Sequence, residues 1–234
     1  MKDKVEEILE NVQKEGRSWL LENEAEEIFE IYGIQVPGRE VATSEKEAAR
    51  IASTLGYPVA LKILSPQVLH KSDVGGVKLG IQNEEELKKA YKEMVEKVGE
   101  KIPSFELRGI LIQKMAPPGG KEVIIGGIKD PTFGPVVMFG LGGIWVEVFK
   151  DVTFRVAPVE EKEARRMIEE IKGKDILFGV RGEESGDIEA LVSAISKISH
   201  LIADFPQIKE IDANPVFLYS KNLLCVDARI VLGE

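Results

Sequence analysis

The chain has 234 residues, enough for one large domain or two closely coupled lobes with a substantial core. Its net charge of -9 at pH 7 argues against a non-specific nucleic-acid binder or a polybasic membrane surface. A single cysteine, a charged N-terminus and the lack of any apolar run near the roughly 20 residues of a membrane span predict a cytoplasmic protein without disulfides, targeting segment or membrane partner.

The first half of the chain is predicted to alternate helices with strands. Apolar residues at helical spacing predict helices over residues 3–15, 19–31, 44–56 and 84–98. Apolar runs predict strands over residues 39–42, 58–64, 75–81 and 108–115. Ser44 with Glu47 forms a capping box for the third helix, and Asn83 with Glu86 caps the fourth.

A Pro-Pro-Gly-Gly sequence at residues 117–120 interrupts this pattern. After it, the chain predicts strands over residues 122–128, 135–140 and 145–157, helices over 160–171 and 187–204, and short strands over 208–212, 216–219 and 223–231. The interruption is short and lies between apolar strands, so we interpret it as a boundary between two α+β lobes and not as a flexible linker.

His70, one of only two histidines, lies in a polar loop between two predicted strands. The loop begins at Ser65-Pro66 and ends at Gly75-Gly76, which are suitable ends for a mobile segment. An imidazole titrates near neutral pH and serves as a nucleophile in covalent catalysis. The sequence therefore makes His70 a candidate for a reactive group.

Lys62 stands in the otherwise apolar strand predicted over residues 58–64. Such a lysine either extends along an exposed face of a half-buried strand or points into a cleft, and the sequence alone leaves both open. Lys62 and Lys78 lie on either side of the His70 loop, so both could reach one anionic group. The chain has neither a Walker A motif nor a dinucleotide-binding Gly-x-Gly-x-x-Gly motif.

Four polar residues near the C-terminus form a second candidate site. Asp212 and Asn214 are two residues apart and share a face if the segment is extended. Asp227 and Arg229 follow in the next apolar run. Two carboxylates and an amide oxygen suit Mg²⁺ bound to nucleotide phosphates. The alternative is an Asx-turn before Pro215 together with an exposed strand acid.

Three further stretches complete a resemblance to a known family. They are Leu-His-Lys-Ser-Asp-Val-Gly-Gly-Val at 69–77, Gly-Gly-Ile-Lys-Asp-Pro-Thr-Phe-Gly-Pro at 126–135 and Phe-Gly-Leu-Gly-Gly-Ile at 139–144. With the candidate site residues, they resemble the ATP-grasp fold. More narrowly, the chain resembles the β subunits of archaeal ADP-forming acetyl-CoA synthetases, the NDP-forming acyl-CoA synthetases. It is similar, more distantly, to the β subunit of succinyl-CoA synthetase.

The resemblance covers nearly the whole chain and implies an α+β fold in which two lobes grip a nucleotide. Residues 1–234 are expected to form a single ATP-grasp domain, with N-terminal helices over 1–36, a first lobe with the His70 loop over 37–115 and a second lobe with the metal site over 116–234.

The resemblance also implies roles on the nucleotide side of the site. Lys62 is expected to contact the nucleotide phosphates. The backbone of Gln113, Lys114 and Met115 is expected to hold the adenine, and Glu122 to face the ribose.

Further roles concern the phosphoryl group. Asn214 and Asp227 match the Mg²⁺ ligands, Asp212 matches the neighbouring acid, and Arg229 is expected to steady a transferring phosphoryl group. His70 matches the histidine that is transiently phosphorylated in the β chain.

The implied reaction is a phosphoryl relay catalysed together with an α subunit that carries the CoA and acyl-phosphate sites, in an α2β2 complex. Acyl-CoA, ADP and phosphate become acid, CoA and ATP, with His70 delivering the phosphoryl group to Mg·ADP. Two alternatives remain: a succinyl-CoA-type β subunit, and an ATP-grasp carboxylate ligase or regulatory module that uses no phosphohistidine.

Overall fold

The computed structural model describes residues 1–143, 151–180, 182 and 184–233. Its helices are α1 (Lys2–Lys14), α2 (Glu22–Ile31), α3 (Glu45–Leu55), α4 (Glu84–Lys101), α5 (Glu161–Glu170), α6 (Lys174–Phe178) and α7 (Ile188–Asp204). Its strands are β1 (Arg39–Ala42), β2 (Val59–Leu64), β3 (Val77–Ile81), β4 (Gly109–Lys114), β5 (Lys121–Asp130), β6 (Gly134–Leu141), β7 (Val152–Val156), β8 (Ile208–Leu218), β9 (Leu223–Cys225) and β10 (Ala228–Leu232). The first part of the strand predicted over 145–157 lies outside the described residues.

The chain divides into two compact units, of which Pro37–Ala116 is the smaller. Its four strands form a sheet in the order β1-β4-β2-β3, in which every neighbouring pair is antiparallel. Helices α3 and α4 cover one face, and their apolar stripes enclose a core with alternate residues of β2 and β4. All six residues of β2 are buried.

The predicted helix caps of this unit are confirmed. The Ser44 side chain accepts a hydrogen bond from the Glu47 amide at 3.3 Å, and the Asn83 side chain accepts one from the Glu86 amide at 3.0 Å. The Glu47 carboxylate accepts hydrogen bonds from Thr43 instead of returning to the Ser44 amide, so the capping box is shifted by one residue. Helix α4 continues to Lys101, three residues beyond its predicted end.

The larger unit combines Met1–Val36 with Pro117–Glu234. Its sheet has the order β10-β8-β5-β6-β7, and β9 pairs with β8. Every pairing is antiparallel. One face packs against α5 and α7, and α1 and α2 contribute to the same apolar core. The alternation of buried and half-exposed residues along β8 leaves polar side chains on the other face.

The prediction of separate strands over 208–212 and 216–219 is wrong. Strand β8 runs without a break through Asn214-Pro215. The pairing of β8 with β5 shifts its register between Val123 and Ile125, opposite these residues. Proline is tolerated in strands at such bulges because a missing amide hydrogen bond is accommodated there. Pairing with β5 and β10 on its two sides keeps this segment extended.

Three other features of the secondary structure differ from the predictions. The helix predicted from residue 19 begins at Glu22, because Leu20 donates its amide to the Ile230 carbonyl and Trp19 forms a bridge with Val231. The strand predicted over 223–231 is two strands, β9 and β10, and the short helix α6 was not predicted. In the described part of the chain, no helix combines the length and apolarity that a membrane crossing requires.

Candidate active site

The loop that carries His70 is held at both ends. Gly76 donates its amide to the Lys71 carbonyl at 2.7 Å and accepts from the Ile63 amide at 2.8 Å. Ser65, at the other end, is 1% exposed. A Cβ added at Gly76 would lie 2.5 Å from Cγ2 of Ile63, so this close approach requires glycine.

His70 itself is exposed, and a short 3-10 turn at Ser72–Val74 follows it. The Nζ atom of Lys101 contacts this turn by donating to the Asp73 carbonyl at 2.6 Å. The fixed ends and the exposed imidazole agree with a reactive group that is reached from outside the unit. The mobility of the loop stays a prediction.

Lys62 is only 5% exposed, so the alternative of an exposed strand face is wrong. Its neighbours Leu61 and Ile63 belong to the core beneath α3 and α4. Because residues alternate along a strand, Lys62 lies on the opposite face of the sheet. A lysine is rarely buried to this extent in an apolar strand without a specific role or partner.

Gln113 lies on the same sheet face as Lys62. Lys62 pairs with Leu111 and Ala60 pairs with Gln113, so the two polar residues occupy adjacent strands two positions apart. Gln113 is 2% exposed. The structure therefore brings two of the predicted nucleotide-binding residues together within the smaller unit.

The backbone after Gln113 is fixed by hydrogen bonds inside the same unit. The Lys114 amide donates to the Gly38 carbonyl at 2.8 Å, and the Met115 amide donates to the Pro58 carbonyl at 3.2 Å. The Lys114 ammonium donates to the Gly56 and Tyr57 carbonyls at 2.5 and 3.0 Å. Both amide hydrogens are thus in use, so a ligand held by the backbone of Lys114 or Met115 would be bound through a carbonyl oxygen.

Glu122 is exposed near the start of β5 and contacts the glycine-rich segment after β6. The Gly142 amide donates to the Glu122 carbonyl at 2.8 Å. A Cβ added at Gly143 would lie 2.8 Å from Oε2 of Glu122, and the φ of Gly143 is +59°. The positive φ of Gly143 favours glycine beside this carboxylate.

The C-terminal candidates form one cluster in the larger unit. Asp212 pairs directly with Arg229 across β8 and β10. The Asn214 amide donates to the Asp227 carbonyl at 3.1 Å, just beyond the end of that pairing. The Asx-turn alternative is wrong, because residues 212–214 lie within β8. The structure thus brings together all four residues that the sequence singled out here.

Arg229 is held by two carboxylates. Its Nη2 atom donates a hydrogen bond to the Glu210 carboxylate and lies 3.9 Å from Oδ2 of Asp212. Burial raises the pKa of Asp212; Arg229 opposes this shift, whereas the negative charges of Asp227 and Glu210 add to it. The cluster therefore carries more negative than positive charge in a partly desolvated place.

The chemistry of this cluster fits Mg²⁺ better than a metal with an all-protein ligand shell. In the described residues, no group of three or more His, Cys, Asp or Glu side chains is arranged to hold a metal ion. Mg²⁺ commonly keeps several waters and binds through one or two carboxylates together with substrate phosphates. The carboxylate of Asp227 and the amide oxygen of Asn214 are donors of this kind.

Glu210 is the site residue that the sequence analysis missed. Glu210, Asp212 and Asn214 alternate with the buried residues Ile211 and Ala213, so the period of two along the sequence contained the signal. Gly126 was also missed: it pairs with Asp212 across β5 and β8, and a Cβ added there would lie 3.2 Å from Cε of Met138. Glu122 lies four residues from Gly126 on the same face of β5, about 13 Å away.

Comparisons with known proteins give matches along most of the chain. The family described as an ATP-grasp domain matches residues 11–232. The chain is 49% identical to the β subunit of acetate–CoA ligase [ADP-forming] I from Pyrococcus furiosus, over 98% of both chains. It is 47% identical to 4-hydroxybutyrate–CoA ligase [ADP-forming] from Nitrosopumilus maritimus, over 99% of this chain but only 33% of that ligase.

A solved structure shares the fold over nearly its whole length. It is the dinucleotide-forming acetyl-coenzyme A synthetase 1 of Ca. Korarchaeum cryptofilum, in complex with coenzyme A and Mg-AMPPCP, with its phosphohistidine segment pointing towards the nucleotide-binding site. The identity is 45% and the TM-score is 0.85, over 98% of this chain and 100% of that chain.

Proposed function

Given that this chain belongs to the ATP-grasp family and aligns along its whole length with the β subunits of ADP-forming acetate–CoA ligases, we propose that it performs the nucleotide half of that reaction with the residues described above. Its activity is of the ADP-forming acetate–CoA ligase class, in which acyl-CoA, ADP and phosphate become acid, CoA and ATP. The observation that carries the residue assignment is the cluster of Asp212, Asn214, Asp227 and Arg229.

His70 is the phosphoryl carrier in this proposal. A neutral imidazole nitrogen attacks the phosphorus of a phosphoryl group brought by the partner subunit, and the partner's bond to that phosphorus breaks. A terminal oxygen of ADP then attacks the same phosphorus, the nitrogen–phosphorus bond breaks and ATP forms. The exposed position of His70 supports this role, because the imidazole must first reach the phosphoryl group on the partner subunit and then reach ADP.

Charge neutralisation is the main requirement of such a transfer. Lys62 and Arg229 supply positive charge, and Glu210 and Asp212 hold the guanidinium of Arg229 in position. When bound at Asn214 and Asp227, Mg²⁺ neutralises the phosphate oxygens of the nucleotide. The excess negative charge of the cluster supports a cation at this place.

The remaining residues orient the nucleotide. The Gln113, Lys114 and Met115 segment offers carbonyl oxygens that accept from the adenine amino group. Glu122 accepts from the ribose hydroxyls. Glu122 lies near the start of β5, whereas Asp212 and Glu210 on β8 pair with Gly126 and Ile128 nearer its other end, so the two ends of a nucleotide are recognised by different groups.

We further propose that the chain works in the cytoplasm in an α2β2 complex with an α subunit, without nucleic-acid or membrane partners. The name of the Pyrococcus furiosus relative as a β subunit supports an α partner. The relative from Nitrosopumilus maritimus supports it too, since this chain corresponds to a third of that ligase.

The decisive assay uses the chain together with its co-purifying α subunit. We expect ATP formation from acetyl-CoA, ADP and phosphate by the complex, and none by either chain alone. Asp227→Ala in the β chain is expected to abolish most of this activity. An active complex that prefers succinyl-CoA would replace the proposal with a succinyl-CoA-type enzyme. ATP formation by the lone chain would refute the claim that the reaction requires an α subunit.

A further inference from the structure

An apolar patch lies on the sheet of the larger unit, on the face away from α5 and α7. It comprises Ile128, Val136, Met138, Phe154 and Val156. Three of these residues are well exposed: Ile128 by 48%, Phe154 by 53% and Val156 by 55%. Isolated apolar residues are common on protein surfaces, whereas a contiguous exposed group marks an interaction site.

The strand register shows that the patch is contiguous. Val136 pairs with Ile128 on one side and with Val156 on the other, and Met138 pairs with Phe154. Directly paired residues of antiparallel strands share a face, as do residues two apart on one strand. The intervening residue Val137 belongs to the buried core on the opposite face.

Two rows of paired residues that run across the sheet connect the patch to the candidate metal cluster. Ile128 pairs with Glu210, and Gly126, which pairs with Met138, also pairs with Asp212. The patch and the two carboxylates therefore form one continuous surface. A partner seated on the patch has direct access to the place where we propose the phosphoryl group is transferred.

The patch also lies at an edge of the sheet. Strand β7 is the last in the described strand order. Beside the patch, the turn between β5 and β6 carries Phe133, which is 67% exposed. The Asp130 carboxylate fixes this turn by accepting from the Thr132 and Phe133 amides at 2.8 and 2.9 Å. Apolar residues on an exposed edge strand favour pairing with another chain unless a partner covers them.

We propose that this apolar patch is the docking surface for the α subunit, an inference that rests on the proposed function. Two observations select this partner. The patch continues into the acidic cluster beside which, in the proposed function, His70 passes to ADP the phosphoryl group that α supplies. In the single-chain relative, the counterpart of this chain is one third of a longer polypeptide, so the split enzyme needs a persistent interface with the remainder. Persistent interfaces are more apolar than transient ones.

The test compares two matched substitutions in the full-length chain. Phe154→Thr removes the largest side chain of the patch but keeps the strand propensity of a β-branched residue. Leu79→Thr is the control: Leu79 is 63% exposed on β3, an edge strand of the other sheet. Binding of each variant to the purified α subunit is measured by sedimentation velocity, with circular dichroism and Tm as checks of folding.

We expect Phe154→Thr to weaken association with α by at least about tenfold, and Leu79→Thr by less than about twofold. Excess α subunit should restore the activity of the Phe154→Thr complex, because docking is governed by mass action. If Phe154→Thr loses its fold, the milder Val156→Thr takes its place in the same comparison.

Unchanged association of a folded Phe154→Thr chain overturns the proposal. So does self-association of the lone wild-type chain that this substitution abolishes, since the patch then joins two copies. Failure of the proposed function gives a different result, because the wild-type complex then assembles but makes no ATP.

Discussion

The backbone amide of Asn214 donates a hydrogen bond to the backbone carbonyl of Asp227 over 3.1 Å. This bond joins the middle of β8 to the residue just before β10, so an amide and a carboxylate that are 13 residues apart in the sequence are presented side by side. The proposed metal site depends on this pairing.

Removing the Asp227 carboxylate tests the metal assignment. We expect Asp227→Asn to weaken ADP binding by at least about tenfold in the presence of Mg²⁺, because a charged donor to the cation is lost. Binding without Mg²⁺ should change little. Asp175→Asn, at an exposed acid of α6, is the control. Calorimetry that gives equal Mg²⁺-dependent affinities for wild type and Asp227→Asn would refute the assignment.

The raised pKa of Asp212 predicts a trade-off between stability and function. Burial and the neighbouring acids favour its protonated form in the folded chain. The stability from this preference is present below the ordinary carboxyl pKa, about 3.9, and is lost as the pH rises through the raised value. Asp212→Asn should therefore raise the Tm of the lone chain at pH 7 but not at pH 3, and lower the activity of the complex.

Thermal unfolding at these two pH values checks this prediction. A Tm at pH 7 that falls in Asp212→Asn would mean that the attraction of Arg229 outweighs burial and the repulsion of Asp227 and Glu210. The account of the cluster as an excess of negative charge would then be wrong.

Glu210 and Arg229 should act as a coupled pair. Glu210→Gln removes the charge that holds the guanidinium, so we expect kcat to fall by about threefold to tenfold with little change in the KM for ADP. Arg229→Lys should have a larger effect. In the double variant, the two losses should not add, because each change disrupts the same ion pair. Fully additive losses in kcat would show that Glu210 does not position Arg229.

Gly76 should be intolerant of a side chain. In Gly76→Ala the new methyl group would lie 2.5 Å from Cγ2 of Ile63 and 3.1 Å from the Lys71 carbonyl. We expect a loss of about 1–3 kcal/mol in the free energy of unfolding. Gly99→Ala, in α4, should be neutral or stabilising because alanine favours the helix and meets ordinary contact distances there. Equal urea midpoints for the two variants would contradict the close packing at the end of the His70 loop.

Local features of the fold were predictable from the sequence. The caps at Ser44 and Asn83 depend on residues three positions away, and such short-range hydrogen bonds need no tertiary information. The continuity of β8 through Pro215 was not predictable in this way. Proline usually ends a strand, and here the pairing with β5 on one side and β10 on the other outweighs that tendency.

For the same reason, only part of the candidate site could be predicted from the sequence. Residue type made Asn214 and Asp227 candidates, but only the family resemblance matched them as the pair of Mg²⁺ ligands, because their proximity depends on the pairing of β8 with β10. The burial of Lys62 depends on tertiary packing, which the strand pattern alone does not give. Glu210, in contrast, could have been found because it shares with Asp212 the alternation with buried Ile211 and Ala213.

Phosphorylation of His70 is the central claim, and radiolabelled phosphate tests it most directly. The complex is incubated with acetyl-CoA and labelled phosphate, and its chains are separated under denaturing conditions. His200→Asn is the control, since the chain has only two histidines. We predict an acid-labile, base-stable label on the β chain of the wild type and of His200→Asn, and none on that of His70→Asn. Undiminished label on the His70→Asn chain would contradict the account.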